Sequence, residues 1–530
     1  MEFAMLICAA VIVACIVSNR VVNRFGIPTV LVFMALGMVF GSEGIFKIVF
    51  DDFTFAEQLC STALVFIMFY GGFGTNFHVA RPVLPKAVTM ATLGVVFTAG
   101  LTGLFCHLVL GMSLQEGLLL GAVVGSTDAA SVFSILRSKS LDLRDGTASL
   151  LEVESGSNDP FSYMMTMIIL GWMGGGGESV VLMLVKQIGW GLLFGIGIGF
   201  IVIYVLKSVR FEIQGIDNIM MIALVLFAFA GPMMLGGNGY LSVYLLGIIV
   251  GNQKYQGKIE MIHFFDGVNR LAQILIFFLL GLLVFPSRLV PMIVPAVIVF
   301  LGLTFIARPL TTIILMLPFR KRSWRQNALV SFAGLRGAAS IVFAIMVTIN
   351  SVYPKDDIYN IVFCIALLSI SFQGLLLPYA AQKLDMVDES QDVMRTFSDY
   401  QDEQQLMLVQ IKLEKGHKYI GKKISDLNLS MLLVLIKRDG ESLVPRGNIV
   451  LQEGDLVVLS GESFQDGADM ILDEMKIESG NECIGQTIKD LPPFENSLIV
   501  LIRRASGATV IPKGETKIKE GDILVMSKGN

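Results

Sequence analysis

The chain has 530 residues, of which 54% are hydrophobic and only 16% charged, with a formal net charge of -4 at neutral pH. That balance excludes a basic nucleic-acid binder, and apolar runs long enough to cross a bilayer recur from Met1 to about Lys383, as expected of a polytopic α-helical membrane protein. The six cysteines (Cys8, Cys15, Cys60, Cys106, Cys364 and Cys483) lack the spacing of a disulfide framework or a zinc site, so they read as packing residues and no resident metal or cofactor is expected.

The first apolar run has no basic leader, because Arg20 and Arg24 follow it, so it is expected to remain as a membrane helix with its amino end outside. Hydropathy predicts about thirteen spans, over residues 2–19, 27–41, 56–73, 87–110, 116–136, 147–172, 179–206, 216–235, 239–251, 261–285, 289–317, 326–349 and 357–382. The loops that this count puts in the cytoplasm carry Arg20, Arg24, Arg81, Lys86, Arg137, Lys139, Arg144, Lys207, Arg210, Lys254, Lys258, Arg320, Lys321, Arg322 and Arg325. The opposite loops carry only Lys47, Arg288 and Lys355, which argues for the amino end outside and the carboxyl end in the cytoplasm of a multi-pass protein of the cell (inner or plasma) membrane.

Two spans are interrupted where a straight helix would otherwise run, the fifth by Gly125-Ser126-Thr127-Asp128 and the twelfth by Gly334-Leu335-Arg336-Gly337. Unwound backbone at membrane depth survives only inside protein or along a wet cavity, where half-helix ends offer dipoles to an ion. The two breaks lie seven spans apart, and an odd offset gives them opposite orientation, which is the requirement for an inverted repeat. Between them, the sixth span carries Glu154-Ser155-Gly156-Ser157-Asn158-Asp159-Pro160. A charge at bilayer depth costs at least about 2.5 to 3.5 kcal/mol, so an intramembrane acid is an ion or proton site by default. Helical spacing puts Ser155 with Asp159 on one face and Glu154 with Asn158 on another. Pro160 cannot donate to the Gly156 carbonyl, which leaves an acceptor free beside the acid. Asp128 is either part of the site or the cap of a half-helix, and Arg336 is expected to offset helix carboxyl ends. Arg308 in the eleventh span needs an acidic partner, for which Glu154 is the candidate. These features describe a secondary transporter.

Thr127-Asp128 in one broken helix, Glu154 through Asp159 in the next, Ala307-Arg308-Pro309 and Gly334-Leu335-Arg336-Gly337 together resemble the monovalent cation/proton antiporters, and among them the electroneutral branch that includes the sodium/proton exchangers. The resemblance covers about residues 1–385. It implies a homodimer with a dimerisation bundle and a six-helix core in which the two broken helices cross at the ion site. It also implies Asp159 as the ion and proton carrier, Asn158 as its neighbour, Thr127, Asp128 and Ser155 as the other polar elements, a structural ion pair of Glu154 with Arg308, and Arg336 at the second break. The expected substrates are protons and potassium or sodium. A single carboxylate that holds either a proton or a monovalent cation exchanges them one for one, provided that it titrates in the working pH range. The chain departs from many such proteins at Phe69-Tyr70-Gly71-Gly72, where an acid often precedes the two glycines.

After Leu384 the hydropathy collapses into an acidic linker over 386–403, and β-branched runs then alternate with Gly and Asp turns, the pattern of small α+β domains. A repeat is present: Gly421 and Asp426 recur as Gly485 and Asp490, Pro445-Arg446-Gly447 as Pro512-Lys513-Gly514, and Glu453-Gly454-Asp455 as Glu520-Gly521-Asp522. The copies, over 404–472 and 473–530, resemble the TrkA-C module of potassium-conductance regulators. That resemblance implies dimerisation, sensing of a small ligand such as cyclic di-adenosine monophosphate, and a lean toward potassium. Arg446 and Lys513 are candidate anion contacts or solvated charges. Gly195, Gly197 and Gly199 lie inside a span and read as helix packing, not as a nucleotide loop. A channel lacks its TVGYG-like filter here. A hydrolase lacks its GxSxG elbow, and no histidine falls in either broken span or in the Asp159 span.

Overall fold

The computed structural model describes residues 2, 9–17, 28–138, 141–175, 179–208, 215–253, 255, 257–319, 323–353 and 357–388, and in the tail 407–413, 417, 419–427, 432–438, 441–443, 445–461, 471–477, 483–488, 497–504, 509–510 and 515–528. The chain divides into two compact units, Met1–Asp402 and Glu403–Asn530.

The first unit is helical. Among the described residues seven helices are long and apolar enough to cross a membrane: Phe53–Gly74, Leu84–Leu110, Val180–Ser208, Ile216–Met234, Lys258–Leu282, Pro286–Met316 and Asp357–Lys383. Thr147–Met173 has the length but carries Glu152, Glu154 and Asp159, while Thr29–Phe40, Leu114–Val123, Gly239–Gly251 and Ala338–Thr348 are shorter apolar helices. Several starts are fixed by side chains that take up amide groups left free in the first turn. Asp52 accepts from the Phe55 amide, Asn238 from the Leu241 amide, and Ser113 and Glu116 form a reciprocal capping box.

The helices pack as two groups. Gly239–Gly251 lies against Phe53–Gly74, Val180–Ser208 and Ile216–Met234, and Lys258–Leu282 lies against Thr29–Phe40 and Phe53–Gly74. The second group contains two triplets, Leu84–Leu110 with the first broken helix and Thr147–Met173, and Pro286–Met316 with the second broken helix and Asp357–Lys383. Of Gly195, Gly197 and Gly199 in the Val180–Ser208 helix, Gly195 and Gly199 abut Gly239–Gly251, since a Cβ there would stand 3.0 Å from the Ser242 Cα and from Ile249. Gly197 faces open space, so its assignment to helix packing is corrected.

The first broken helix runs as Leu114–Val123 and Ala129–Ser138, the second as Trp324–Phe332 and Ala338–Thr348. Each unwound stretch is closed from the third helix of its own triplet. Ser162 of Thr147–Met173 donates to the Ala122 carbonyl at 2.6 Å, and Gln373 donates its amide to the Phe332 carbonyl. Gln373 lies in a π-helical turn, Ser369–Gln373, and a second such turn, Leu303–Ala307, precedes Arg308. Pro309 has no amide hydrogen for the Phe305 carbonyl, and the wider turn accommodates that loss.

A short clasp ends this unit. Asp142 and Leu143 pair antiparallel with Asp388 and Val387, the Arg144 amide donates to the Met386 carbonyl at 2.9 Å, and Met386 is buried. Asp385 receives Arg144 at 2.8 Å and Arg325 at 2.7 Å. Met386 and Val387, assigned above to the linker, therefore pack with the membrane unit because their side chains find an apolar niche with Leu143 and Leu150.

The tail unit holds two four-stranded antiparallel sheets of one topology. In the first, Met407–Lys412 pairs with Leu456–Gly461, which pairs with Leu432–Arg438 and then Glu441–Leu443; in the second, Ile471–Lys476, Ile523–Lys528, Ser497–Arg503 and Thr509–Val510 follow the same order. Ile471 and Leu472 thus open the second sheet and belong to the second copy, because both pair with Ile523–Lys528. The recurring Glu-Gly-Asp turn buries its aspartate under an arginine in each copy. Arg438 grips Asp455 with Nε and Nη2, both at 2.8 Å, and Arg504 meets Asp522 at 2.5 Å. The arginine beside Asp455 holds its carboxyl below the usual aspartate range.

Candidate functional site

The two breaks are tied to each other through main chain and side chain. The Asp128 amide donates to the Leu335 carbonyl at 2.8 Å, and Arg336 Nη1 donates to the Ser126 carbonyl at 2.6 Å. Gly337 is required at this crossing because a Cβ would collide with the Asp128 side chain, 2.6 Å from its Cγ. Arg336 is 1% exposed, and its own amide donates to Ser369 Oγ at 3.1 Å. A guanidinium so placed answers the unsatisfied carbonyl end of the half-helix Leu114–Val123.

The helix Thr147–Met173 presents its polar face to this crossing. Asp159, 5% exposed, accepts a hydrogen bond from Ser126 Oγ. Asn158 receives the Thr127 amide at 3.3 Å and donates to Thr127 Oγ1 at 2.6 Å, and Thr127 Oγ1 lies 2.7 Å from Ser155 Oγ. Asp159, Asn158, Thr127 and Ser155 are thus brought together. The set is carboxylate, hydroxyl and amide oxygens, the ligand chemistry of hard alkali cations, and among the described residues no group of three or more His, Cys, Asp or Glu forms a metal centre.

Asp128 is half-buried and caps the second half-helix, its carboxylate accepting from the Ser131 amide at 3.2 Å and from Ser131 Oγ at 2.6 Å. Glu154 and Arg308 meet at 2.9 Å, 1% and 3% exposed, with Glu154 one turn before Asn158. Arg308 also reaches the Val330 carbonyl at 3.4 Å, and Gly334 leaves room for its guanidinium, since a Cβ would stand 2.8 Å from Nε. The pair ties Thr147–Met173 to the Arg308–Met316 helix without leaving a net charge at that depth.

Ser126 belongs to this set although only its neighbours Thr127 and Asp128 stand among the candidates; its position inside the polar interruption was the available signal. Arg446 lies in the tail unit on an exposed turn, and Lys513 falls outside the described residues.

Comparison with known proteins places these features. The family model described as "Sodium/hydrogen exchanger, transmembrane" matches residues 9–383, and the TrkA-C domain model matches 408–465 and 472–527. The chain is 34% identical over 458 residues to the K(+)/H(+) antiporter NhaP of Alkalimonas amylolytica, covering 84% of this chain and 78% of that one. It is 31% identical over 456 residues to the K(+)/H(+) antiporter NhaP2 of Shewanella sp. (strain MR-4), covering 84% and 79%. The structure of the sodium proton antiporter MjNhaP1 from Methanocaldococcus jannaschii at pH 8 resembles it in fold, with a TM-score of 0.63 at 22% identity over 71% of this chain and 100% of that one.

Proposed function

The chain belongs to the sodium/hydrogen exchanger family and carries two TrkA-C domains, and on that premise we propose that it exchanges a monovalent cation, potassium in the first place, for protons across the cell membrane. The observation that carries this reading is the buried acid Asp159, hydrogen-bonded by Ser126 at the crossing of two broken helices, whereas the other buried acid of that helix, Glu154, is paired with Arg308. A carboxylate in that position is occupied by a cation or by a proton, and competition for it couples the two fluxes. Asn158, Thr127 and Ser155 hold the carrier's surroundings together, Asp128 keeps the half-helix in place, and Arg336 offsets the carbonyl ends.

Potassium is favoured by the tandem TrkA-C domains and by the names of the relatives; sodium is the second reading, favoured by the family description. The proposed topology has about thirteen crossings with the amino end outside and the tail in the cytoplasm, over a membrane domain of 1–385, a linker of 386–403 and two modules of 404–472 and 473–530, each adjusted by the two residues noted above. The proposed unit is a homodimer joined through the helices of the first packing group. Its tail is read as a sensor of a small cytoplasmic ligand, cyclic di-adenosine monophosphate being the first to test, with Arg446, which is exposed, and Lys513 as anion contacts.

The deciding experiment is flux in proteoliposomes with an acid-loaded interior. Addition of potassium, sodium or lithium should raise the internal pH, with potassium the most effective. Conductance without pH change would indicate a channel, and no flux with any of the three would overturn the reading.

A further inference from the structure

One helix of the first packing group brackets the carrier. Gly239–Gly251 places Tyr240 and Tyr244 one turn apart on the same face. Ser157 Oγ donates to the Tyr244 hydroxyl at 3.0 Å, and a Cβ on Gly156 would stand 3.0 Å from that ring, so Tyr244 covers the carrier helix just before Asp159. Tyr240 meets Tyr163 edge-on with ring centroids 5.1 Å apart and Phe343 at 5.7 Å, while Tyr163 and Phe343 are 5.9 Å apart. All three rings are buried. Tyr163 follows Asp159 by four residues, about 6 Å along a helix. The aromatic cluster therefore closes the carrier on one side and Tyr244 closes it on the other.

Beyond the aromatic cluster lies a cavity of about 260 Å³, walled by Tyr163, Tyr240, Glu57, Ser61 and Met346, with Gln58 and Thr62 at its exposed rim. Ser61 Oγ donates to Glu57 Oε1 at 2.8 Å. Among the described residues, Glu57 is the one carboxylic acid in this lining, and no Lys, Arg or His shares it. At about 30 Å³ per water the space holds roughly eight waters, enough for a cation with its first hydration shell. One carboxylate with neutral hydroxyls and a side-chain amide matches a single positive charge; a divalent ion held by protein is ordinarily given more carboxylates.

We propose that this cavity is a vestibule site in which Glu57 holds a hydrated monovalent cation before it passes the Tyr163, Tyr240 and Phe343 cluster to Asp159. The site lies in the second turn of Phe53–Gly74, at the end that the proposed topology puts outside. A negatively charged, walled recess raises the local concentration of cations of suitable charge, so the effect is on capture from one face of the membrane. The proposal rests on the antiport reading for its route to Asp159, not for the cation that it holds.

The test uses full-length protein reconstituted with known orientation, with potassium and sodium supplied from either face. Glu57→Gln should raise the half-saturating cation concentration about tenfold from the vestibule face and leave the opposite face unchanged. Glu57→Asp should restore most of the affinity, and Gln58→Glu, which adds a second carboxylate at the rim, should lower that concentration several-fold. Equal shifts on both faces, or no shift on either, would overturn the proposal. Thallium(I) binding to the Asp159→Asn protein, which needs no transport, should survive and then vanish in the Asp159→Asn, Glu57→Gln double variant. Loss of exchange in the wild type with this binding intact would count against the antiport reading alone. Exchange in the wild type with no Glu57-dependent thallium binding would count against the vestibule alone.

Discussion

Arg336 and Asp159 never touch in the hydrogen-bond network, yet Ser126 joins them: its carbonyl accepts from Arg336 Nη1 at 2.6 Å while its hydroxyl serves Asp159. The residue that anchors the crossing of the two broken helices is therefore the one that hydrogen-bonds the proposed carrier. A shift of either break would change the hydrogen bonding of the carboxylate, and on the proposed role of Asp159 that would couple conformation to ion affinity at one residue.

Asp159→Asn should abolish exchange and leave the protein folded. An amide of the same shape can still accept from Ser126 but cannot trade a proton for a cation. Proteoliposome flux measured beside size-exclusion and thermal unfolding profiles checks this, and pH-dependent flux in a folded variant would remove Asp159 from the carrier role.

Glu154 and Arg308 form a buried pair, so removal of one partner strands the other charge. Glu154→Gln or Arg308→Ala alone should cost on the order of 3 kcal/mol of stability. The double variant should lose less than the sum of the singles, and strict additivity in the thermal unfolding cycle would deny the coupling.

Exchange should be electroneutral. With an amide at position 158, only Asp159 changes its load in the cycle, and one charge crosses in each direction. A net charge moved would respond by about 2.3 kcal/mol per 100 mV. The null-point cation gradient, measured under a potential clamped by a lipophilic ion, should stay fixed as the voltage is varied, and a moving null point would bring Asp128 or Glu154 into the count.

Loss of the tail should alter the response of transport to cytoplasmic ligand. A ligand shifts a conformational equilibrium only through different affinity for its two states. Flux of the chain truncated after Asp388 should be indifferent to cyclic di-adenosine monophosphate, whereas the full chain should change its rate. Equal responses, together with no binding by the full chain, would refute this sensor role.

The first tail module should have an acid-labile lock. Asp455 has its pKa lowered chiefly by the hydrogen-bonded Arg438, so the stabilisation is fully present above the unfolded value of about 4 and is lost as pH falls through the lower folded value. Amide exchange of Leu456–Gly461 in the full chain should be insensitive to this group between about pH 5 and 8. Asp455→Asn should lose protection at neutral pH, and the gap between variant and wild type should narrow below about pH 4. A constant gap down to pH 2 would assign the effect to shape, not charge.

Both helix breaks were legible because glycine and polar residues stand out in an apolar run, and the need of Arg308 for a buried acid pointed to Glu154. Asp128 was ambiguous for a physical reason: a carboxylate three residues before Ser131 has the spacing of a helix cap, and the same group could equally face an ion. Tyr240 and Tyr244 could not be singled out, since aromatic side chains in an apolar helix carry no mark that tells packing from a wall around a carrier. The pairing of Val387 with Leu143 was hidden too, because it joins segments more than two hundred residues apart and one of them lies in an acidic stretch.

The clasp at Asp385 decides where the tail can be cut. Asp385 is held by Arg144, just before the Thr147–Met173 helix, and by Arg325, in the first turn of Trp324–Phe332, while Met386 through Asp388 lie along residues 142–144. A chain cut after Leu384 would leave Arg144 and Arg325 without the Asp385 carboxylate and strip a strand from residues 142–143, just before the Thr147–Met173 helix. Any change in rate would then record surgical damage in place of a missing sensor. Cutting after Asp388 keeps the seam closed, and comparison of the two truncations, with Asp385→Ala in the intact chain as a third sample, separates the work of the modules from that of their stem.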